Sequence, residues 1–324
     1  MSLSVCTATF LNTGTISCSP VMDYADKLIF VPTYSAAGVR NKISNTAILT
    51  QVTVQALIDQ ADPTLRWYPT PQIENMTGER AASTFETGAT GRRYKAKTGV
   101  RTYAFDVMNK WGLYQAIFEQ FSCAEMSFFI VDATGNLIGL QAATDDGYMY
   151  PIRISNDSME SILGMPMPDK SVKITVSFEF DSREKDSLLR MFEYTPLVMT
   201  ADMANVEGLN AVYMAMVTNT TTAAVVDLYA VHNGVNKKVA ITGLVVANFY
   251  DVVGGASSKA YNVTDSSAIA LTSVAESATV PGRYTITYGA QTSGTLASAD
   301  VVRFTIVKTQ LDFTAVTANT LAVS

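Results

Sequence analysis

Residues 172–180 (VKITVSFEF) alternate without a break. Val172, Ile174, Val176, Phe178 and Phe180 fall on one side of an extended chain, and Lys173, Thr175, Ser177 and Glu179 on the other. A period of two marks a half-buried strand, because successive side chains of a pleated backbone point to opposite faces. An apolar face of this kind demands a second layer, and that demand organises residues 126–181. Upstream, MSFFIVDATGNLIGL reads as two strands joined by a tight turn over 132–135, where Asp132 opens the turn and Gly135 tolerates positive φ. Downstream, Asp181 and Glu184 have capping-box spacing, which predicts a helix over 181–193 carrying Leu188, Leu189 and Phe192.

Before this region, residues 1–20 are rich in Thr, Ser, Asn and Gly and read as an N-terminal arm. Residues 26–33 form a short apolar run closed by Pro32, a first buried strand. Ile48, Leu49, Val52, Ala56 and Leu57 stand at helical spacing, predicting a helix over 46–62 that Asp62-Pro63 ends. The segment 67–71 (WYPTP) is extended. Residues 72–97 separate their charges, with Glu74, Glu79 and Glu86 first and Arg92, Arg93, Lys95 and Lys97 after. Two readings fit: a solvated hairpin tip, or a long loop whose charges pair with a neighbouring subunit. No Gly-Lys-Ser/Thr follows the glycines, which argues against a phosphate-binding loop.

Strand character returns over 99–107, with Tyr103, Phe105 and Val107 on one side. Asn109 is a candidate cap for a helix over 110–121, in which Trp111, Tyr114, Ile117, Phe118 and Phe121 make one apolar stripe that packs on the sheet. Tyr148, Tyr150, Ile152 and Ile154 alternate after Asp145-Asp146-Gly147, a loop without the regular acidic spacing of a calcium site. Residues 156–170, with Met159, Met165 and Met167, read as a loop.

Chemistry is thinly provided. The chain has one histidine, His232, placed in an Asn-Gly turn, so any Ser-His or Cys-His machinery would depend on it. Cys6, Cys18 and Cys123 have no metal-type spacing and read as reduced thiols. No nucleophile, base and oxyanion set can be assembled, so the expectation is a protein that is no enzyme and needs no cofactor or metal. A net charge of −6 argues against a wrapping grip on nucleic-acid phosphates. The first basic residue is Lys27 and no apolar stretch reaches membrane-spanning length, so cytoplasmic synthesis is expected.

Past Tyr194 Lys and Arg thin out, and 195–209 reads as a linker between a domain over 1–200 and another over 201–324. From 210 onward short strands and turn signals recur, which predicts an all-β sandwich of immunoglobulin type without a Cys-Trp-Cys core. RYTITY (283–288) and VRFTIV (302–307) read as paired late strands. The sequons at Asn219 and Asn262 read as chance matches.

The order of sheet, helix, the Ser127 to Val131 strand, the DATGNLIG turn, a long loop and the VKITVSFEF strand resembles the tail tube proteins of tailed bacteriophages, over roughly residues 20 to 200. The appended sandwich is similar to the Ig-like domain many of them carry. The wording from Thr77-Gly78-Glu79-Arg80 through Phe85, with GYMYPI at 147–152, also resembles structural proteins of Bacteroidetes-type phages. A helix over 181–193 departs from a minimal tube subunit and leaves room for a neck or ring component, and a capsid decoration protein is a further alternative within the virion class. The resemblance implies an α+β, tail-tube-like sandwich or barrel with packed helices, followed by an all-β Ig-like sandwich. It implies a virion protein assembled in the host cytoplasm, meeting other virion proteins and no membrane, as a homo-oligomeric, hexameric ring through which DNA passes without sequence-specific binding. On that reading Glu79, Glu86, Arg92, Arg93, Lys95 and Lys97 meet a neighbouring subunit, and the face of Lys173, Thr175, Ser177 and Glu179 is lumen or subunit contact. A bacterial surface adhesin or pilus subunit would share the Thr-rich second half, but calls for a secretory signal.

Overall fold

The computed structural model describes residues 23–60, 62–110, 112–196, 198–208, 210–231, 238–250, 259–306, 311–312 and 321–322. Residues 1–20, Trp111 and His232 lie outside the described residues. The protein is mostly β with two short helices, and its two large, mainly antiparallel sheets curl as half-barrels beside smaller ones. It divides into two compact units, Met1–Gly208 and Leu209–Ser324.

The first unit contains β1 (Ala25–Pro32), β2 (Ile43–Ser44), α1 (Gln51–Ile58), β3 (Tyr68–Pro69), β4 (Glu74–Thr77), β5 (Thr84–Thr87), β6 (Arg93–Lys97), β7 (Thr102–Met108), α2 (Gly112–Ser122), β8 (Met126–Asp132), β9 (Leu137–Gln141), β10 (Tyr148–Tyr150), β11 (Ile152–Arg153), β12 (Glu160–Gly164), β13 (Lys173–Glu179) and β14 (Leu189–Phe192). An eight-stranded sheet runs β2-β10-β9-β8-β1-β3, with β11 on β8 and β14 on β9. A four-stranded sheet runs β12-β13-β7-β4, and β5 with β6 forms a separate hairpin.

The alternation in β13 does what its pattern predicts. Ile174, Val176 and Phe178 pair with Val107, Phe105 and Tyr103 of β7, and all six side chains are buried. Their partner layer is mainly the eight-stranded sheet, since the buried cluster joins them to Leu28, Phe30, Phe128, Ile130 and Leu140. Phe178 stands edge-on to Phe128 at 5.0 Å and to Phe30 at 6.0 Å. Each fully buried Phe contributes about 1.5–3 kcal/mol of apolar transfer, so this aromatic box is a large stabilising contribution to the unit. Helix α2 adds Phe118, 6.0 Å from Phe30 and 6.1 Å from Phe105. It starts at Gly112, while Asn109 takes a left-handed turn (φ 56°) and donates its backbone N–H to Val172 O.

All seven residues of β8 and all five of β9 are buried, so these strands are covered on both faces. Behind them Trp67 meets Phe129 at 5.3 Å, and α1 contributes Val54 and Ile58. This corrects the stripe expected for 46–62. The helix is eight residues long, capped by Thr50, and its inward positions are Val54 and Ile58; Val52 is 79% exposed. The turn after β8 forms as expected: Asp132 Oδ1 accepts from the Thr134 and Asn136 amides at 3.0 and 2.8 Å, and Gly135 has φ 85°. Along 148–154 the alternation breaks at Pro151, and Met149 is buried in place of Tyr148 and Tyr150.

Two further segments differ from expectation. Residues 156–170 contain β12, which pairs with β13 from Glu160↔Ser177 to Gly164↔Lys173. It is an edge strand in which polarity and burial part, with Ile162 outward and 55% exposed and Ser161 inward beside Leu163, which packs on the core. Residues 181–193 form no α-helix. The Asp181 N–H that a capping box would satisfy already donates to Arg153 O at 2.9 Å, and the Glu184 carboxylate is drawn to Arg40 and Arg153. A single 3-10 turn at Asp186–Leu188 leads into β14, which pairs Leu189 through Phe192 with Leu140 through Leu137.

The second unit contains β15 (Asn210–Asn219), β16 (Ala223–Val231), β17 (Lys238–Ala240), β18 (Phe249–Tyr250), β19 (Lys259–Asn262), β20 (Ser267–Glu276), β21 (Arg283–Gln291), β22 (Val301–Arg303), β23 (Thr305–Ile306), β24 (Leu311–Asp312) and β25 (Leu321–Ala322). Its main sheet runs β24-β15-β16-β21-β20-β19-β22-β25, with β17 on β16, and β18 pairs β23. Phe249, Tyr284 and Phe304 centre the core. The segments 283–288 and 302–307 are not partners: β21 lies between β16 and β20, while β22 pairs β19 and β25. Strands β20 and β19 intervene. Both sequon asparagines are buried, Asn219 accepting from Tyr288 Oη at 2.8 Å and Asn262 donating to Asp300 at 2.9 Å, which leaves no room for a glycan.

Candidate functional site

The outward face of the four-stranded sheet follows from its register, because directly opposed residues share a face. Lys173, Thr175, Ser177 and Glu179 of β13 line up with Asp106 and Ala104 of β7, Glu160 and Ile162 of β12, and Glu74 and Thr77 of β4. Four carboxylates (Glu74, Asp106, Glu160, Glu179) share this face with one amine, Lys173. Asp106 is its one buried charge. Its carboxylate accepts from Thr175 Oγ1 at 2.6 Å, Lys173 Nζ at 2.9 Å and Asn75 Nδ2 at 2.9 Å. Burial works to raise its pKa, but the bonds from Thr175, Asn75 and Lys173 outweigh it and hold the carboxyl below its usual range. Both edges of the sheet, β12 and β4, have no further strand beside them among the described residues. Next to β12, Met165 and Met167 are more than half exposed.

The six charged residues singled out in 72–97 belong to an arm. Strands β5 and β6 are exposed along their whole length, and turn through Gly88 and Gly91 (φ 77°), with the Gly88 N–H donating to Arg92 O at 2.8 Å. Phe85 pairs with Lys95 and Thr87 with Arg93, placing both cations on one side, where Arg93 lies 4.9 Å over the Phe85 ring; Glu86 and Tyr94 share the other. Arg92 sits at the turn, Lys97 pairs with Thr84, and Glu79 lies at the root. None of the six makes a salt bridge among the described residues. Their charges are therefore available to another surface.

Sequence reasoning missed the element that anchors the arm. At its root Arg80 faces Arg101 across an antiparallel bridge. Asp186, from the turn before β14, takes Arg80 Nε and Nη2 at 3.0 and 2.8 Å and Arg101 Nη2 at 3.0 Å. The arginine bond and charge hold the Asp186 carboxyl below its ordinary range. Two residues earlier, Glu184 accepts from Arg153 and from Arg40, and Asp181 is paired with Arg183. A cavity of about 420 Å³ lies here, lined by Arg40, Gln141, Tyr150, Arg153, Arg183 and Glu184. Its arginines already have carboxylate partners, so it is an ion-pair basin that fixes 181–188 to the body.

Among the described residues no group of three or more His, Cys, Asp or Glu could hold a metal, and no helix is long and apolar enough to cross a membrane. Comparison with family models, curated proteins and solved structures gives no match.

Proposed function

We propose that the chain is a structural protein of a tailed-bacteriophage virion whose copies close into a ring, hexameric by the resemblance above, forming the tail tube or a tail or neck ring through which DNA passes. The observation that carries this is the four-stranded sheet with two open edges and an acidic outward face. Unpaired strand edges are a liability in a lone subunit, and pairing β12 of one copy with β4 of the next removes it by closing a barrel. The carboxylate-rich face then lines the lumen, where it repels phosphate and lets DNA slide. The exposed arm reaches a neighbouring copy, and the second unit is read as an Ig-like sandwich on the ring. The helix over 181–193 that left room for a neck component is a 3-10 turn and a strand, so that departure from a tube subunit falls away. Negative-stain microscopy of the purified chain tests this: tubes or six-fold rings are expected, and a monomer persisting at high concentration would overturn it.

A further inference from the structure

We infer that Asp186 is a positioning residue for the arm: by bridging Arg80 and Arg101 it sets the direction in which the β5–β6 hairpin leaves the body, and so the arm's readiness to engage a second copy of this chain. The part concerning assembly rests on the function proposed above; the part concerning the arm's alignment does not. Every residue of β5 and β6 is exposed, so no apolar burial aligns the arm with the body. What holds it is its root. There the backbone comes very close, since a Cβ on Gly99 would stand 1.6 Å from Ala81 O, and the Ala81 N–H donates to Val100 O at 2.8 Å. One step toward the body this close-fitted ladder carries Arg80 opposite Arg101, a like-charge pair that is destabilising when directly opposed.

Asp186 reverses the sign of that pairing. Arg80 grips it with two parallel bonds and turns its third nitrogen, Nη1, to Gly99 O at 2.8 Å, so one guanidinium ties the carboxylate to both strands of the root. Arg101 adds its own bond to Asp186 and lies 5.7 Å over the Phe180 ring, at the end of the core. Removing the carboxylate leaves two facing cations and an arm with no other tie than its ladder.

The test uses the full chain with hydrogen exchange read by mass spectrometry. Asp186→Asn is expected to speed exchange of amides in 81–99 by about tenfold while those of β7 and β13 keep their protection, and to raise the concentration needed for assembly in sedimentation. Asp186→Glu is expected to restore both, and adding Arg101→Gln to Asp186→Asn to restore arm protection by removing the repulsion. Unchanged arm exchange in Asp186→Asn overturns the positioning role whatever assembly does. Faster arm exchange with unchanged assembly overturns the link to assembly. If Asp186→Asn also exposes β7 and β13, the double variant decides: failure to restore arm protection sinks the inference. A wild-type chain that never assembles removes the ring reading alone, since arm exchange still reports on Asp186.

Discussion

Lys173 Nζ donates to Asp106 Oδ2 at 2.9 Å along a diagonal of the four-stranded sheet, one rung away from the directly opposed Thr175. Asp106 is thus an acceptor with three donors around it, and Asn at this position would bring an N–H against them. Because Lys173 is nearly half exposed, Asp106→Asn is expected to cost about 1–3 kcal/mol in urea unfolding, at the scale of a lost charged hydrogen bond. The folded carboxyl titrates below the ordinary value of 3.8, so its contribution is fully present above that pH and is lost as pH falls through the folded value. Melting curves of the two proteins should therefore converge in acid, and a gap that stays constant well below pH 3.8 would contradict the assignment.

Phe178 touches Phe30, Tyr103, Phe105 and Phe128, drawn from three strands in both sheets. Phe178→Ala is expected to cost about 3–5 kcal/mol, since it removes the ring and leaves a cavity between layers that cannot collapse fully. Thr175→Ala, one residue from the same core on the opposite face, should cost far less, about 1 kcal/mol for its bond to Asp106. Equal losses in calorimetry would mean that the two faces of β13 are not the inside and outside described.

The contrast between β13 and its neighbour β12 shows what the sequence makes legible. In β13 polarity and burial coincide, so the strand and its inward face are readable from nine residues. In β12 they part: Ser161 is inward and Ile162 outward, so polarity does not report which face of the strand is buried. The arm's charges were readable too, but not its anchor. Arg80 and Asp186 are 106 residues apart, and a capping-box spacing at Asp181 and Glu184 masks a turn whose carboxylates serve distant arginines. Short-range patterns carry no record of such pairs.

Edge exposure yields a prediction about assembly. Ile162 is 55% exposed on β12 and would meet the β4 edge of the next copy. Ile162→Lys is expected to leave the circular dichroism spectrum and melting temperature nearly unchanged, the side chain being outside the core, while shifting the sedimenting species toward monomer. A charge on an edge strand is a device that blocks edge pairing. Unimpaired assembly of this variant would place the subunit contact elsewhere than the β12 edge.

Arg92 and Arg93 offer the most direct test of the arm. They sit at and beside its turn, fully outside the body, so Arg92→Glu with Arg93→Glu should not alter folding. On an acidic chain of net charge −6, a basic arm and the rest of the surface attract one another, and reversing two charges makes the contact repulsive. Assembly is expected to weaken by about tenfold or more in midpoint concentration at low salt, and the wild-type contact to weaken as salt shortens the screening length. A reversed variant that stacks as well as the wild type would show that the arm meets no carboxylates, and the six charges of 79–97 would lose the role given to them.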